Sequence, residues 1–202
     1  VLEGEQVEVT IPVLKLKEVP LKFEFSNVPA GYDPAELNAS ISPATIRIAG
    51  AADTVDGIES VNAGFINLAR VQLGKAETLK IQLSEGLVNV DDVQEATVTF
   101  DTSGYGEPRA ITVSDIRVVN APSGVDVKVI TESINNVTLV GEAEELAAIS
   151  PSDVIAQVDA SAQNITVKGS GQQQFSAQII VTGTKTVFAT GAYSVLCDIT
   201  VK

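Results

Sequence analysis

The 202-residue sequence has no histidine, no methionine and no tryptophan, and one cysteine, Cys197. Without histidine there is no imidazole general base, no Ser-His-Asp or Cys-His nucleophile, and none of the commonest zinc ligand. A single cysteine excludes an intrachain disulfide framework and every CxxC metal or redox motif. Aromatic residues make up only 4% of the chain, which argues against a glycosidase built on a carboxylate pair in an aromatic-lined cleft. Positive charge is scarce: 13 Lys and Arg stand against 26 Asp and Glu, a net −13. Residues 1–105 hold 16 acidic and 7 basic side chains and residues 106–202 hold 10 and 6, giving −9 and −4. Neither half offers the clustered Lys and Arg that nucleic acid requires. No apolar run reaches the ~18 residues that would span a bilayer. The sequence opens Val1-Leu2-Glu3, without methionine; it reads as a fragment whose start, and any signal or anchor, lies upstream.

What is present is β-patterning. Leu21, Phe23 and Phe25 alternate with Lys22 and Glu24, and Val7, Val9, Ile11 and Val13 alternate in the same way. The period of two returns at Leu79-Ile81-Leu83, Val98-Phe100, Ile116-Val118, Val127-Val129 and Val137-Leu139. It closes the chain at Phe175 to Val181 and at Tyr193 to Val201. Such alternation turns one face of a strand to a core and the other to water. Helical spacing occurs only at Val55/Ile58 and Leu146/Ile149, enough for one or two turns each. The expected class is mostly β.

An internal repeat emerges when the turns are aligned. Asn27-Val28-Pro29-Ala30-Gly31 matches Asn120-Ala121-Pro122-Ser123-Gly124 at an offset of 93. Ile46 to Gly50 matches Val137 to Gly141 at 91, Val55 and Ile58 match Leu146 and Ile149 at 91, and Ile66 to Ala69 matches Val158 to Ser161 at 92. In N-x-P-x-G the proline fixes φ and the glycine supplies a positive φ, so the chain turns at a strand end. The expected division is into two small twisted β-domains, 1–105 and 106–202. Residues 1–14 carry the closing strand of a preceding repeat, since Glu8 to Ile11 reads like Ala96 to Phe100 and Cys197 to Val201.

These motifs resemble the YbbR-domain family, whose pattern is a strand, a P-x-G-Y turn, S-P-x-x-V-x-V-x-G, a V-x-x-I turn and a V-D-L-S strand. The first repeat matches it at Pro29, Gly31, Tyr32, Ser42, Pro43, Ile46, Ile48, Gly50, Val55, Ile58 and Leu68. The second matches at Pro122, Gly124, Val137, Leu139, Gly141, Leu146, Ile149, Val158, Asp159 and Ser161. Asn67 departs from the aspartate of V-D-L-S, Val125 from the turn tyrosine, and Ser133 to Asn136 from the S-P pair. The resemblance implies tandem YbbR-like domains outside the membrane of a Gram-positive bacterium, behind an N-terminal transmembrane helix. It also implies a non-catalytic regulator whose partner is a membrane diadenylate cyclase, the enzyme that makes cyclic di-AMP. The alternative is a structural spacer or adhesin repeat of a bacterial surface protein.

Residues with a chemical reading are few. Asp101-Thr102-Ser103-Gly104 is like the aspartic-protease turn but has one residue too many and no second copy; it reads as a polar linker. The clusters Asp91-Asp92, Asp53/Asp56/Glu59 and Glu142/Glu144/Glu145 lack the spacing of a calcium loop. Gly169 to Gln174 reads as a flexible hairpin loop, with no lysine to make it a phosphate cradle. The sequons at Asn38, Asn136 and Asn164 carry no weight in a bacterial protein. Cys197 falls on an apolar strand face and reads as an inert core thiol. No catalytic, cofactor or metal residue is assigned, and no cofactor is expected.

Overall fold

A computed structural model of the chain describes residues 13–166 and 169–201. The first repeat contributes strands β1 (Lys15–Ser26), β2 (Ala39–Ser42), β3 (Thr45–Gly50), β4 (Val61–Asn67), β5 (Glu77–Lys80), β6 (Val88–Asn89) and β7 (Glu95–Phe100). The second contributes β8 (Arg109–Val113), β9 (Ile116–Val119), β10 (Val125–Val129), β11 (Ile134–Val140), β12 (Val154–Asp159), β13 (Ser170–Val181), β14 (Phe188–Thr190) and β15 (Tyr193–Val201). Two short α-helices, α1 (Ala52–Asp56) and α2 (Ala143–Ala148), bury Val55 and Leu146. The protein is mostly β, as its periodicity requires.

The repeat is visible in individual bonds. Asn27 and Asn120 take φ of 50° and 55°, and Gly31 and Gly124 take 87° and 78°. The turn between them closes through Tyr32 N–H to the Pro29 carbonyl at 3.1 Å, and Val125 N–H to the Pro122 carbonyl at 3.0 Å. Leu68 N–H donates to the Ser26 carbonyl at 3.0 Å, and Ala160 N–H to the Val119 carbonyl at 2.9 Å. Asn67 Oδ1 accepts from Ala69 N–H at 3.0 Å, and Asp159 Oδ1 from Ser161 N–H at 2.9 Å. Strand neighbours follow the same plan, with β8 and β9 together replacing the long β1. The order β6-β3-β1-β4 corresponds to β14-β11-β8 followed by β9-β12, and β2-β7-β5 to β10-β15-β13.

Packing divides the chain into two compact units that interleave in sequence. One is drawn from the residues up to Glu24, Ser40–Gly64 and Glu77–Val98; the other from Phe25–Ala39, Phe65–Ala76 and Thr99 onward. The sequence repeat restarts at 105/106, whereas packing places parts of the first repeat in the same unit as the second. The core of the first unit gathers Val19, Leu21, Ile46, Ile48, Val61, Ala63 and Ala96. In the second, the inward residues of β11, β12, β13 and β15 meet around Val137, Leu139, Val158, Phe175, Val195 and Ile199.

One feature of the repeat was not legible in the sequence. Lys17 and Arg109 occupy the same place, opposite Ile48 and Leu139 on the neighbouring strand. Lys17 Nζ donates to the carbonyls of Ile58 at 2.6 Å, Asp56 at 3.2 Å and Val55 at 3.4 Å. Arg109 donates to the carbonyls of Ile149 at 2.8 Å and Leu146 at 3.2 Å. Each helix therefore ends on a cation that satisfies its last carbonyls and the negative end of its dipole. Arg109→Met keeps the aliphatic stem and removes the cap. It is expected to lower stability by about 1.5–2 kcal/mol, the lower part of the range for charged hydrogen bonds. Chemical denaturation followed by circular dichroism measures this, and an unchanged midpoint would mean that water replaces the cap at no cost.

Two local expectations are corrected. Gly169 to Gln174 is not a hairpin loop: β13 begins at Ser170 and pairs with β15 from Ser170 opposite Thr200 to Ala177 opposite Tyr193. The polar glutamines stay in the strand because their side chains are bonded. Gln173 accepts from Thr166 N–H at 2.9 Å and donates to the Asn164 carbonyl at 2.6 Å, and Gln174 donates to Ser194 Oγ at 2.7 Å. The alternation Leu79-Ile81-Leu83 outlasts its strand, since β5 ends at Lys80 while Ile81 and Leu83 pack on the core from irregular backbone. The strand expected over Val7 to Leu14 lies outside the described residues except for Val13 and Leu14, which are exposed and precede β1.

Candidate functional site

The second unit contains a cleft of about 540 Å³, a size ordinary for a ligand site. Its walls include Asn27 of the N-x-P-x-G turn, Asn67 at the end of β4, Arg70 beyond it, and Gln157 and Asp159 of β12; Asn67 and Asp159 are equivalent positions of the two repeats. Gln178 and Tyr193 complete it. Gln157 and Gln178 stand directly opposite each other on adjacent antiparallel strands.

The two repeats differ at this cleft. In the second, Asn120 Nδ2 donates to Asp159 Oδ2 at 3.0 Å, and Ser161 Oγ donates to Asp159 Oδ1 at 2.7 Å. These bonds hold the Asp159 carboxyl below the usual carboxylate range. In the first, Asn67 replaces that aspartate and turns its Oδ1 to Ala69 N–H. The amides of Asn27, Asn67, Gln157 and Gln178 thus border the cleft beside the Arg70 guanidinium. Amides both donate and accept, so the cleft can hydrogen-bond a polar ligand or backbone without supplying a nucleophile. Tyr193 is fixed as a wall: its hydroxyl donates to the Thr190 carbonyl at 2.5 Å and accepts from Thr138 N–H at 2.9 Å. The corresponding amide in the first repeat, Arg47 N–H, donates to Asp91 at 2.7 Å. These amides were missed in the sequence, since they are scattered between positions 27 and 178 and form no motif.

Several residues singled out in the sequence serve local structure. Asp101 accepts from Ser103 N–H at 3.0 Å, which holds its carboxyl below the ordinary range. Asp91 pairs with Arg47 at 2.6 Å, and the hydrogen bonds from Arg47 lower its pKa. Asp56 pairs with Lys15, and Glu145 accepts from the hydroxyls of Thr184 and Thr186, which lower its pKa. Among the described residues no three carboxylates or cysteines are grouped to hold a metal ion. Asn38, Asn136 and Asn164 are exposed. Cys197 has 0% exposure and is unpaired, and burial pushes its thiol pKa up. It is expected to react with a thiol reagent at neutral pH only after denaturant is added; rapid labelling of the folded protein would contradict its burial.

The family model described as YbbR-like protein matches residues 19–114. Those residues belong to the YbbR-like family. No curated protein gives a significant match. Among solved structures, SuR18C from Streptococcus thermophilus is 20% identical, covering 45% of this chain and 89% of its own, with a TM-score of 0.35. A YbbR-like protein from Streptococcus pneumoniae TIGR4 is 18% identical, covering 98% and 99%, with a TM-score of 0.32. The assignment rests on the family model and on the YbbR-type turns. The matched segment contains the P-x-G-Y turn at Pro29 to Tyr32 and the S-P pair at Ser42 and Pro43. Most of the second repeat lies beyond it and is tied to the YbbR-like segment by the shared bonds. No helix among the described residues is long and apolar enough to cross a membrane.

Proposed function

We propose that this chain is a non-catalytic, extracytoplasmic YbbR-like module that regulates a membrane diadenylate cyclase by binding it. The observation that carries this reading is the nature of what the two repeats share. They share the N-x-P-x-G turn, the Asx turn after β4 and β12, the buried Val55 and Leu146, and the cations Lys17 and Arg109 on the helix ends. All of these build a fold, and none is a nucleophile, an acid–base pair or a metal ligand set. A sequence without histidine and with one buried cysteine points the same way. The charge of −13 favours a protein partner over nucleic acid or anionic lipid. The cyclase enters through the YbbR resemblance, which also supplies the membrane anchor upstream.

The test reconstitutes the full-length protein and the cyclase in one membrane and measures cyclic di-AMP output with and without this ectodomain. A changed output together with co-purification is the expected result. Unchanged output and no co-purification would leave the spacer role.

A further inference from the structure

The cleft of the second unit carries a positive charge that the fold leaves open. Arg47 is paired with Asp91, Arg117 with Asp115, and Arg109 with the carbonyls of Leu146 and Ile149. Arg70, on the cleft wall, is exposed, and its side chain has no hydrogen-bond or ion-pair partner among the described residues. The other charge on the wall, Asp159, is engaged within the fold. Its oxygens accept from Ser161 N–H at 2.9 Å, Ser161 Oγ at 2.7 Å and Asn120 Nδ2 at 3.0 Å. The planar fork of the Arg70 guanidinium is therefore free to take both oxygens of a carboxylate from outside the chain.

The rest of the wall suits a peptide main chain. Gln157 and Gln178 stand opposite each other on β12 and β13. Their side-chain amides make no hydrogen bond to another part of the chain among the described residues. Asn67 engages its Oδ1 with Ala69 N–H at 3.0 Å and keeps its Nδ2 hydrogens available. A primary amide places a donor beside an acceptor, the complement of a peptide group. Ala69, Ala177, Ala189, Gly191 and Ala192 also line the cleft, so no long side chain keeps a main chain at a distance there. Tyr193 packs on Gly191, where an added Cβ would lie 2.9 Å from its Cζ, and its hydroxyl is bonded to Thr190 and Thr138. That ring serves the fold, which favours a peptide over a sugar stacked on an aromatic face.

We propose that this cleft binds a short extended peptide segment that carries a carboxylate. Arg70 takes the carboxylate, and the amides of Gln157 and Gln178 take the main chain. The site rests on the cleft alone and not on the cyclase reading.

Titration of the isotope-labelled 202-residue chain with N-acetyl-triglycine, followed by proton–nitrogen NMR, tests this, because side-chain amides and arginine Nε–H groups are observed directly. The expected result is saturable shifts of the Gln157 and Gln178 amides and of Arg70 Nε–H. The same peptide with an amidated C-terminus should bind about tenfold more weakly or worse. Arg70→Gln should weaken the acid by the same factor and leave the amidated peptide unchanged, as loss of a charge-assisted pair does. The Arg70 side chain makes no bond within the described fold, so this variant should keep the parent's circular dichroism. Acetyl-Gly-Gly-Asp-amide separates the two sources of a carboxylate: tighter binding than the triglycine assigns the site to an acidic side chain, weaker binding to a chain end. No saturable shift with either acid, equal binding of the acid and amidated triglycines, or an unchanged affinity in Arg70→Gln would overturn the proposal. So would tighter binding of the neutral sugar cellotriose at the same amides.

Discussion

Gly141→Ala is expected to cost about 3 kcal/mol of stability, the upper part of the range for overpacking a filled site. A Cβ on Gly141 would lie 2.5 Å from the Thr186 carbonyl oxygen, 2.7 Å from Val187 Cα and 2.8 Å from Val187 Cγ2. The first two are backbone atoms and cannot swing aside, so either β11 or the segment before β14 must move. The equivalent glycine of the first repeat, Gly50, meets Gly86 O at 2.9 Å and Leu87 Cδ2 at 3.0 Å. There too the nearest atom is a backbone oxygen, but it lies farther off than the 2.5 Å at Gly141 and the next is the flexible end of Leu87, so Gly50→Ala should cost about half as much, within the same range. Gly57 is the control, with nothing nearer than 3.8 Å, and Gly57→Ala should change stability by less than about 0.5 kcal/mol. Urea unfolding followed by circular dichroism ranks the three. Equal effects at Gly57 and Gly141 would show that close approach is not the cause.

That glycine pair also shows what a sequence can disclose here. Gly50 and Gly141 repeat because at both the chain passes tightly against a segment that follows, and a residue type with no substitute stands out in an alignment of turns. The same is true of Pro29 and Gly31 with Pro122 and Gly124, where backbone conformation dictates the residue. Strand periodicity was legible because each strand turns one face to a core, as in β15, where Val195, Cys197 and Ile199 are buried and Ser194 and Asp198 are not. The caps at Lys17 and Arg109 were hidden, since a surface strand accommodates many polar residues and only the folded chain brings the helix carbonyls to them. The Gly169 to Gln174 segment misled because its composition is that of a loop, while β15 and bonds to Asn164, Thr166 and Ser194 hold it extended. The cleft was illegible for a related reason: amides carry no spacing rule of their own, and only the pairing of β12 with β13 sets Gln157 beside Gln178.

Phe188→Ala should be the most damaging single change, at about 3–5 kcal/mol, as for other buried phenylalanines truncated to alanine. Phe188 lies on the three-residue strand β14, whose pairing to β11 runs only from Thr138 to Val140, so few hydrogen bonds back up its packing. Its ring meets Tyr32, whose buried position also raises the tyrosine pKa well above the ordinary range, chiefly by desolvation. Tyr32→Ala should therefore remove much of the same contact, and the double variant should lose less than the sum of the two, as contacting residues do. Tyr32→Phe separates ring from hydroxyl: the hydroxyl is buried without a hydrogen-bond partner, so its removal should leave stability within about 1 kcal/mol of the parent or raise it. At the equivalent position of the first repeat, Val88→Ala should cost less than about 0.5 kcal/mol, because Val88 is 52% exposed. Denaturation midpoints for these variants decide the matter. A Phe188→Ala cost no greater than that of Val88→Ala, or full additivity with Tyr32→Ala, would mean that the turn and β14 are neighbours without being an energetic unit.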